Sequence, residues 1–184
     1  MVTVRDRLLA ADVDAIDLPS WSRDLALRWE LSIDEVEPAL VAAGEAARRA
    51  QLATPALDRV WCREISCLHS GLEMVEILAE FQLDSSALQA GLLYRAVREG
   101  RLTLSTVERE FGSEVADIID KVQRMAVIST LRNDSPTAVF GDQAARQASK
   151  IRQMLVALID DVRVPLVKLA ERTCAIRAVK NAAS

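Results

Sequence analysis

The sequence predicts an all-α protein: a single-domain bundle of several helices with no β-sheet. Hydrophobic residues make up 51% of the 184 residues but aromatic residues only 4%, and strands favour aromatic side chains. Apolar residues recur with the period of a helix, and residue types typical of helix starts occur at regular intervals. A chain of this length can bury a substantial core. We therefore expect roughly eight to eleven helices.

The first half of the chain contains three predicted helical segments. Residues 19–31 begin with a proline, which suits the first turn of a helix. Residues 32–52 begin with a Ser-x-x-Glu capping box. Residues 54–82 begin with Thr-Pro, and the glycine in Ser70-Gly71 predicts a break within that segment.

Residues 90–100 form the predicted helix around which the rest of the chain is organised. It is rich in good helix formers, Asp84 is placed to cap its start, and Gly100 is placed to end it in a left-handed conformation. Its polar residues share one face through i, i+3 and i+4 spacing: Tyr94, Arg95, Arg98 and Glu99. Taken alone, this is the pattern of an ordinary solvated face.

Further helix starts follow in the second half. The sequence Ser-Thr-Val-Glu at 105–108 is a second capping box, on a short helix that Gly112 ends, and the serine after it begins the next helix. A last helical segment begins near Asp142. A break is predicted at 160–164 with a restart at Pro165, because a proline within a helix loses a hydrogen bond.

Composition excludes several classes of function. A net charge of −4 and a pI of about 5.2 argue against nucleic-acid binding. The sequence has no long apolar run and no signal peptide, so we expect a cytoplasmic protein with no membrane partner. Its three cysteines are odd in number and predict reduced thiols. The spacing of Cys62, Cys67 and His69 is unlike that of zinc sites, and we predict neither a metal nor a cofactor.

Three segments, 90–100, 111–128 and 151–177, resemble the (p)ppGpp hydrolase domain of the RelA/SpoT family. The first has the frame A-x-L-L-x-x-x-V, and the second begins Phe-Gly-Ser-Glu-Val-Ala. The similarity covers about residues 54–181. It implies the helical HD phosphohydrolase fold. In active members it also implies a manganese site that removes the 3′-diphosphate of (p)ppGpp.

The departures from the family fall on its catalytic positions. A serine replaces the family's early histidine. His69 is the preceding residue in the chain, but on a helix one residue corresponds to a rotation of about 100°, so its side chain does not take the same position. Tyr-Arg stands for the His-Asp doublet, and Arg-Glu stands for the following Glu-Asp pair. A glutamate replaces the later Asp, and an alanine the later Asn. The vestigial positions are Ser70, Tyr94, Arg95, Arg98, Glu99, Glu171 and Ala175.

The resemblance therefore implies a pseudo-hydrolase domain over residues 1–184, without catalytic, cofactor-binding or metal-binding residues. We expect it to be the N-terminal fragment of a RelA-type GTP pyrophosphokinase, with a structural or regulatory role toward the synthetase domain of the same chain. The exposed surface for that domain could make the isolated fragment self-associate. Two alternatives are a regulatory module in which Arg95, Arg98 and Arg101 hold (p)ppGpp or another anion in the old pocket, and an active manganese-dependent phosphohydrolase with a rearranged site.

The retained glutamate gives a specific prediction. A buried carboxylate without its dication needs another counter-charge. Arg95 stands where the family has a metal-ligating Asp, so we predict that its guanidinium pairs with Glu171 while Tyr94 fills space. The alternative is a weaker, exposed pair between Arg95 and Glu99, one turn along the same helix.

Overall fold

The computed structural model describes residues 16–53, 66–130 and 161–182, with side chains as far as Met125 in the second range and Ala178 in the third. These ranges hold seven helices and no strand, which confirms the all-α prediction. The helices are α1 (Leu18–Arg28), α2 (Ile33–Ala53), α3 (Cys67–Glu80), α4 (Ser85–Arg98), α5 (Leu104–Phe111), α6 (Ser113–Thr130) and α7 (Arg163–Ala182). The predicted helix starts at 54–55 and near 142 lie outside the described residues. No described helix is long and apolar enough to cross a membrane.

Four helices begin at an N-cap whose side-chain oxygen accepts a hydrogen bond from the backbone amide three residues later. The predicted Asp84 cap is confirmed, since its carboxylate lies 2.8 Å from the amide of Ala87. The predicted cap at Ser105 is wrong by two residues. Thr103 offers an equivalent hydroxyl earlier in the chain, 3.1 Å from the amide of Thr106, and α5 begins directly after it.

The predicted end of α4 is confirmed at Gly100, where φ is 72°. The amide of Gly100 donates to the Val97 carbonyl at 3.0 Å, and the amide of Arg101 donates to the Ala96 carbonyl at 2.9 Å. This pair of bonds is the Schellman motif, which needs a left-handed residue at the helix end. The turn brings Arg101 back alongside the last turn of α4.

All seven described helices contribute to one hydrophobic cluster. Helix α3 lies at its centre, because 12 of its 14 residues are buried, including polar ones. Two of its buried carboxylates are paired with cations from other helices. Glu73 accepts from Arg177 at 3.3 Å, and Glu76 accepts from Arg28 at 2.6 Å. These pairs join α3 to α7 and α1, respectively.

The predicted break at Ser70-Gly71 is wrong, because α3 is continuous from Cys67 to Glu80. Gly71 instead faces the backbone of α4: a β-carbon built on it would lie 2.3 Å from the carbonyl oxygen of Leu92. The glycine lets two helices approach closely, and this positions the start of α3 against the end of α4.

Helix α7 starts at Arg163, two residues before the predicted restart, so Pro165 lies in its first turn, where no intrahelical amide bond is lost. The Arg163 guanidinium reaches Asp161 at 2.8 Å, Asp84 at 2.8 Å and Glu114 at 2.7 Å. It therefore ties the start of α7 to the starts of α4 and α6.

Candidate functional site

The seven vestigial positions lie where the start of α3, the end of α4 and the middle of α7 meet. Two of them are not buried: the Arg98 side chain is 38% exposed, and Ala175, one turn after Glu171 on α7, is partly buried. The other five are 0–4% exposed: Ser70, Tyr94, Arg95, Glu99 and Glu171. A solvated polar face, the ordinary interpretation of this pattern, is therefore excluded.

Arg95 forms the first of two ion-pair clusters. Its Nε lies 2.5 Å from Oε1 of Glu99, and its Nη1 donates to Oγ of Ser70 at 3.4 Å. Oε2 of Glu99 accepts from Nε of Arg101 at 2.8 Å, and Arg101 also donates to the backbone carbonyl of Gln51 at 3.1 Å. This cluster joins α2, α3 and α4 around one buried carboxylate.

Glu171 forms the second cluster. Its carboxylate accepts from Nη1 of Arg98, which comes from α4, and from Nζ of Lys168 at 2.8 Å. Nε of Arg172 lies 4.0 Å away. Burial alone would raise the pKa of Glu171, but the Lys168 hydrogen bond and the charges of Lys168 and Arg98 lower it below its ordinary value of 4.5. Burial lowers the pKa of Lys168.

The predicted Arg95–Glu171 pair is wrong, since Arg95 lies with Glu99 and Arg98 reaches Glu171. The reason is helical geometry. Within the shared face of α4, Arg95 and Glu99 meet on the side next to α3, whereas Arg98 lies on the side next to α7. The assumption that an Arg95–Glu99 pair would be exposed is also wrong, because their side chains are 2% and 5% exposed.

Tyr94 fills space at the same place. Its ring is fully buried, and burial raises the pKa of its hydroxyl to about 12, although the nearby Arg98 charge opposes that shift. A hydrogen bond from Arg98 also favours the ionised hydroxyl, although among the described residues no hydrogen bond of normal geometry reaches it.

Ser70 and His69 are neighbours at the start of α3, and both side chains are buried. Ser70 contacts Arg95 directly, whereas the backbone amide of His69 donates to the N-cap hydroxyl of Ser66. The His69 side chain is also buried, at 6% exposure.

Sequence reasoning included Arg101 among the cations of the old pocket but missed Lys168. Lys168 was signalled only by its i, i+3 spacing to Glu171, a pattern that also occurs on many exposed helices. Arg101 follows the helix-ending glycine, and only the Schellman turn brings it back to Glu99.

These residues do not fit a manganese site. Such a site needs neutral imidazoles and carboxylates that converge with open coordination positions. Here Arg95 occupies one position that the resemblance assigns to a ligand, and the carboxylates of Glu99 and Glu171 are each held by two cations. Within the described ranges, no three His, Cys, Asp or Glu side chains converge as a metal site would require.

A surface groove of about 570 Å³ lies elsewhere, between α5 and α6. Acidic side chains, among them Glu108, Glu114 and Asp117, line it together with Leu104. It contains none of the vestigial positions, and its carboxylates are exposed or partly exposed rather than gathered around a buried centre.

The lowered pKa of Glu171 predicts how stability depends on pH. A carboxyl group with a depressed folded-state pKa stabilises the fold above its unfolded pKa, and the contribution is lost as pH falls through the folded value. We expect Glu171→Gln to reduce the free energy of unfolding at pH 7, and this deficit to shrink as pH falls below 4.5. Urea denaturation of both proteins between neutral and acidic pH measures it. An equal deficit at every pH would contradict the prediction.

The chain is similar in sequence to a known domain family and to several longer proteins. A sequence model of the HD domain matches residues 46–184. The GTP pyrophosphokinase of Photobacterium angustum is 38% identical over 114 residues, 62% of this chain and 15% of that protein. The guanosine-3′,5′-bis(diphosphate) 3′-pyrophosphohydrolase of Vibrio cholerae is 34% identical over 106 residues, 58% of this chain and 14% of the relative. The bifunctional (p)ppGpp synthase/hydrolase SpoT of Escherichia coli is 33% identical over 103 residues, which are 56% of this chain and 13% of that protein. The chain thus spans no more than 15% of the length of these curated relatives.

Proposed function

The chain belongs to the HD-domain family, and from that premise we propose that it is a catalytically inactive (p)ppGpp hydrolase-like domain. One observation carries the proposal: cations occupy or neutralise the positions at which the RelA/SpoT resemblance places metal ligands. Arg95 is buried between Ser70 and Glu99, and Arg98 with Lys168 holds Glu171. A divalent ion placed there would be repelled by fixed positive charges and would find its carboxylate already engaged.

The domain's role is then structural or regulatory, inside a cytoplasmic GTP pyrophosphokinase. Two features support this proposal. Relatives that carry the name GTP pyrophosphokinase are much longer than this chain. The two ion-pair clusters, with their hydrogen bonds to Ser70 and to the Gln51 carbonyl, also join four helices, α2, α3, α4 and α7, into a framework for packing against a neighbouring synthetase domain.

Pyrophosphate release tests the loss of catalysis. The chain is incubated with (p)ppGpp and Mn²⁺, beside its Glu171→Gln variant and the Vibrio cholerae pyrophosphohydrolase as a positive control. We expect wild type and variant to release pyrophosphate at the same background rate. Manganese-dependent release by the wild type that Glu171→Gln abolishes would establish the alternative, an active hydrolase with a rearranged site.

A further inference from the structure

Helix α7 is apolar on two opposite faces. One face packs into the core and consists of five buried residues: Val164, Val167, Ala170, Cys174 and Ala178. On the other face, Leu169 and Ile176 are 62% and 69% exposed, and Val162, directly before the helix, is 54% exposed. A helix at the surface of a domain usually has one apolar face, which is turned to the core. A second apolar face with several residues in line indicates a binding surface.

The exposed residues follow the spacing of a helix–helix contact. Positions 162, 166, 169, 173 and 176, here called the outer stripe, are separated by four and three residues in turn, and all except Thr173 are apolar. The carbonyl of Val162 accepts from the amide of Leu166 at 3.4 Å, so the helical turn includes the first position. Helices that pack side by side have this spacing. At about 1.5 Å per residue, the outer stripe is about 20 Å long, which suits a partner helix.

Positive charge borders the outer stripe. Helix α7 contains five basic residues and one acidic residue, so it carries a net charge of +4 in a chain whose net charge is −4. Arg172 and Arg177 lie on opposite sides of the stripe, because they are three and eight residues from Leu169. Their side chains are 56% and 36% exposed. The single acidic residue, Glu171, is buried, so positive charge dominates the solvent side of α7.

This charge decides between possible occupants of the outer stripe. A second copy of the chain would place two helices of charge +4 against each other, and facing like charges are unfavourable. Residues 142–160 of the same chain contain three basic and two acidic residues, so their charge does not complement the face either. A helix on a membrane surface sinks a broad apolar face about 5–10 Å into the lipid. Helix α7 has only a narrow stripe available, because its opposite face is packed into the core.

We propose that the outer stripe binds an amphipathic helix of a second protein, which has apolar residues at the same spacing and acidic residues on both sides. Burial of Leu169 and Ile176 provides the affinity, and Arg172 and Arg177 select carboxylates on the partner. Glu171 is two residues from Leu169, a rotation of about 200° around the helix. The partner therefore binds on the side of α7 turned away from the Glu171 carboxylate, and the proposal does not rest on the loss of catalysis.

Fluorescence anisotropy tests the surface with two synthetic peptides of about 20 residues, a length that supports a helix in water. Both have leucines at alternating three- and four-residue spacing, with glutamates beside the leucines in one peptide and lysines in the other. We expect the 184-residue chain to bind the glutamate peptide saturably and at least about tenfold more tightly than the lysine peptide. Added salt should weaken that binding, because it screens the charges. Absence of binding, or equal affinity for both peptides, would overturn the proposal.

Leu169→Gln tests the position of the surface. We expect it to weaken binding of the glutamate peptide by about tenfold or more, because an apolar side chain is no longer buried in the complex. The melting temperature without peptide should not change, since Leu169 is already exposed. Leu27→Gln is the matched control: it removes a leucine that is 61% exposed on α1, and the affinity should stay the same. An equal loss in both variants would place the binding elsewhere and contradict the proposal.

Three other results would each replace the proposed partner with a different occupant. Sedimentation that shows a wild-type dimer which Leu169→Gln dissociates would assign the stripe to a second copy. Binding to vesicles of phosphatidylcholine and phosphatidylserine that Leu169→Gln abolishes, without peptide binding, would assign it to a membrane surface. A lower melting temperature in Leu169→Gln but not in Leu27→Gln would show that other residues of the same chain cover it. Pyrophosphate release bears only on the function proposed above, so the two proposals can fail separately.

Discussion

Arg95→Ala is expected to lower the free energy of unfolding by about 3–5 kcal/mol, because it removes one partner of a buried ion pair. The guanidinium and the Glu99 carboxylate are 2% and 5% exposed and lie 2.5 Å apart. Arg101 remains beside Glu99, but the variant also loses the contact with Ser70 and leaves a cavity where one of the largest fully buried side chains stood. Urea denaturation followed by circular dichroism measures the change.

The control is a pair with the same spacing on the surface. Arg124 and Asp120 are four residues apart on α6, and their side chains are 76% and 32% exposed. Arg124→Ala should cost less than about 0.5 kcal/mol, since exposed pairs of this kind contribute little. Equal costs for the two variants would mean that burial of the Arg95 cluster does not govern its energetics.

Features that depend on neighbouring residues were predictable from the sequence. Asp84 and Gly100 bound α4 as expected, because each acts through hydrogen bonds within a few residues of itself. The prediction of the α5 cap was wrong for a local reason. Thr103 and Ser105 offer chemically similar hydroxyl oxygens, and only the folded backbone selects Thr103.

Features that depend on helix packing were not predictable. Gly71 has the sequence signature of a helix breaker, yet its role lies in the close approach of α4, where its neighbour Leu92 is 21 residues away in sequence. Similarly, the resemblance indicated Arg98, Glu171 and Arg95 as members of one site but not which cation meets which carboxylate. That pairing depends on the rotation of α4 relative to α7, and no local pattern in the sequence records it.

Gly71→Ala is expected to be among the most damaging single substitutions, at or above the upper end of the roughly 1–3 kcal/mol typical of overpacking. The added β-carbon would lie 2.3 Å from the carbonyl oxygen and 3.1 Å from the carbonyl carbon of Leu92. Both atoms belong to the backbone of α4, so the contact cannot be relieved by rotating a side chain. The two helices must separate, which also loosens the contact between Arg95 and Ser70. Chemical denaturation measures the loss.

Gly91→Ala is the matched control, because it adds the same methyl group to the other helix of the same interface. Its β-carbon would lie 2.5 Å from Cδ1 of Leu78, the end of a flexible side chain that can change rotamer. Replacing a helical glycine by alanine also favours the helix by about 1 kcal/mol, which offsets part of the repacking cost. We therefore expect Gly91→Ala to lower the free energy of unfolding by about 1 kcal/mol. If Gly71→Ala were no more destabilising than Gly91→Ala, α3 and α4 would not be held together by backbone contact at Gly71, and the close approach that positions Ser70 beside Arg95 would need another cause.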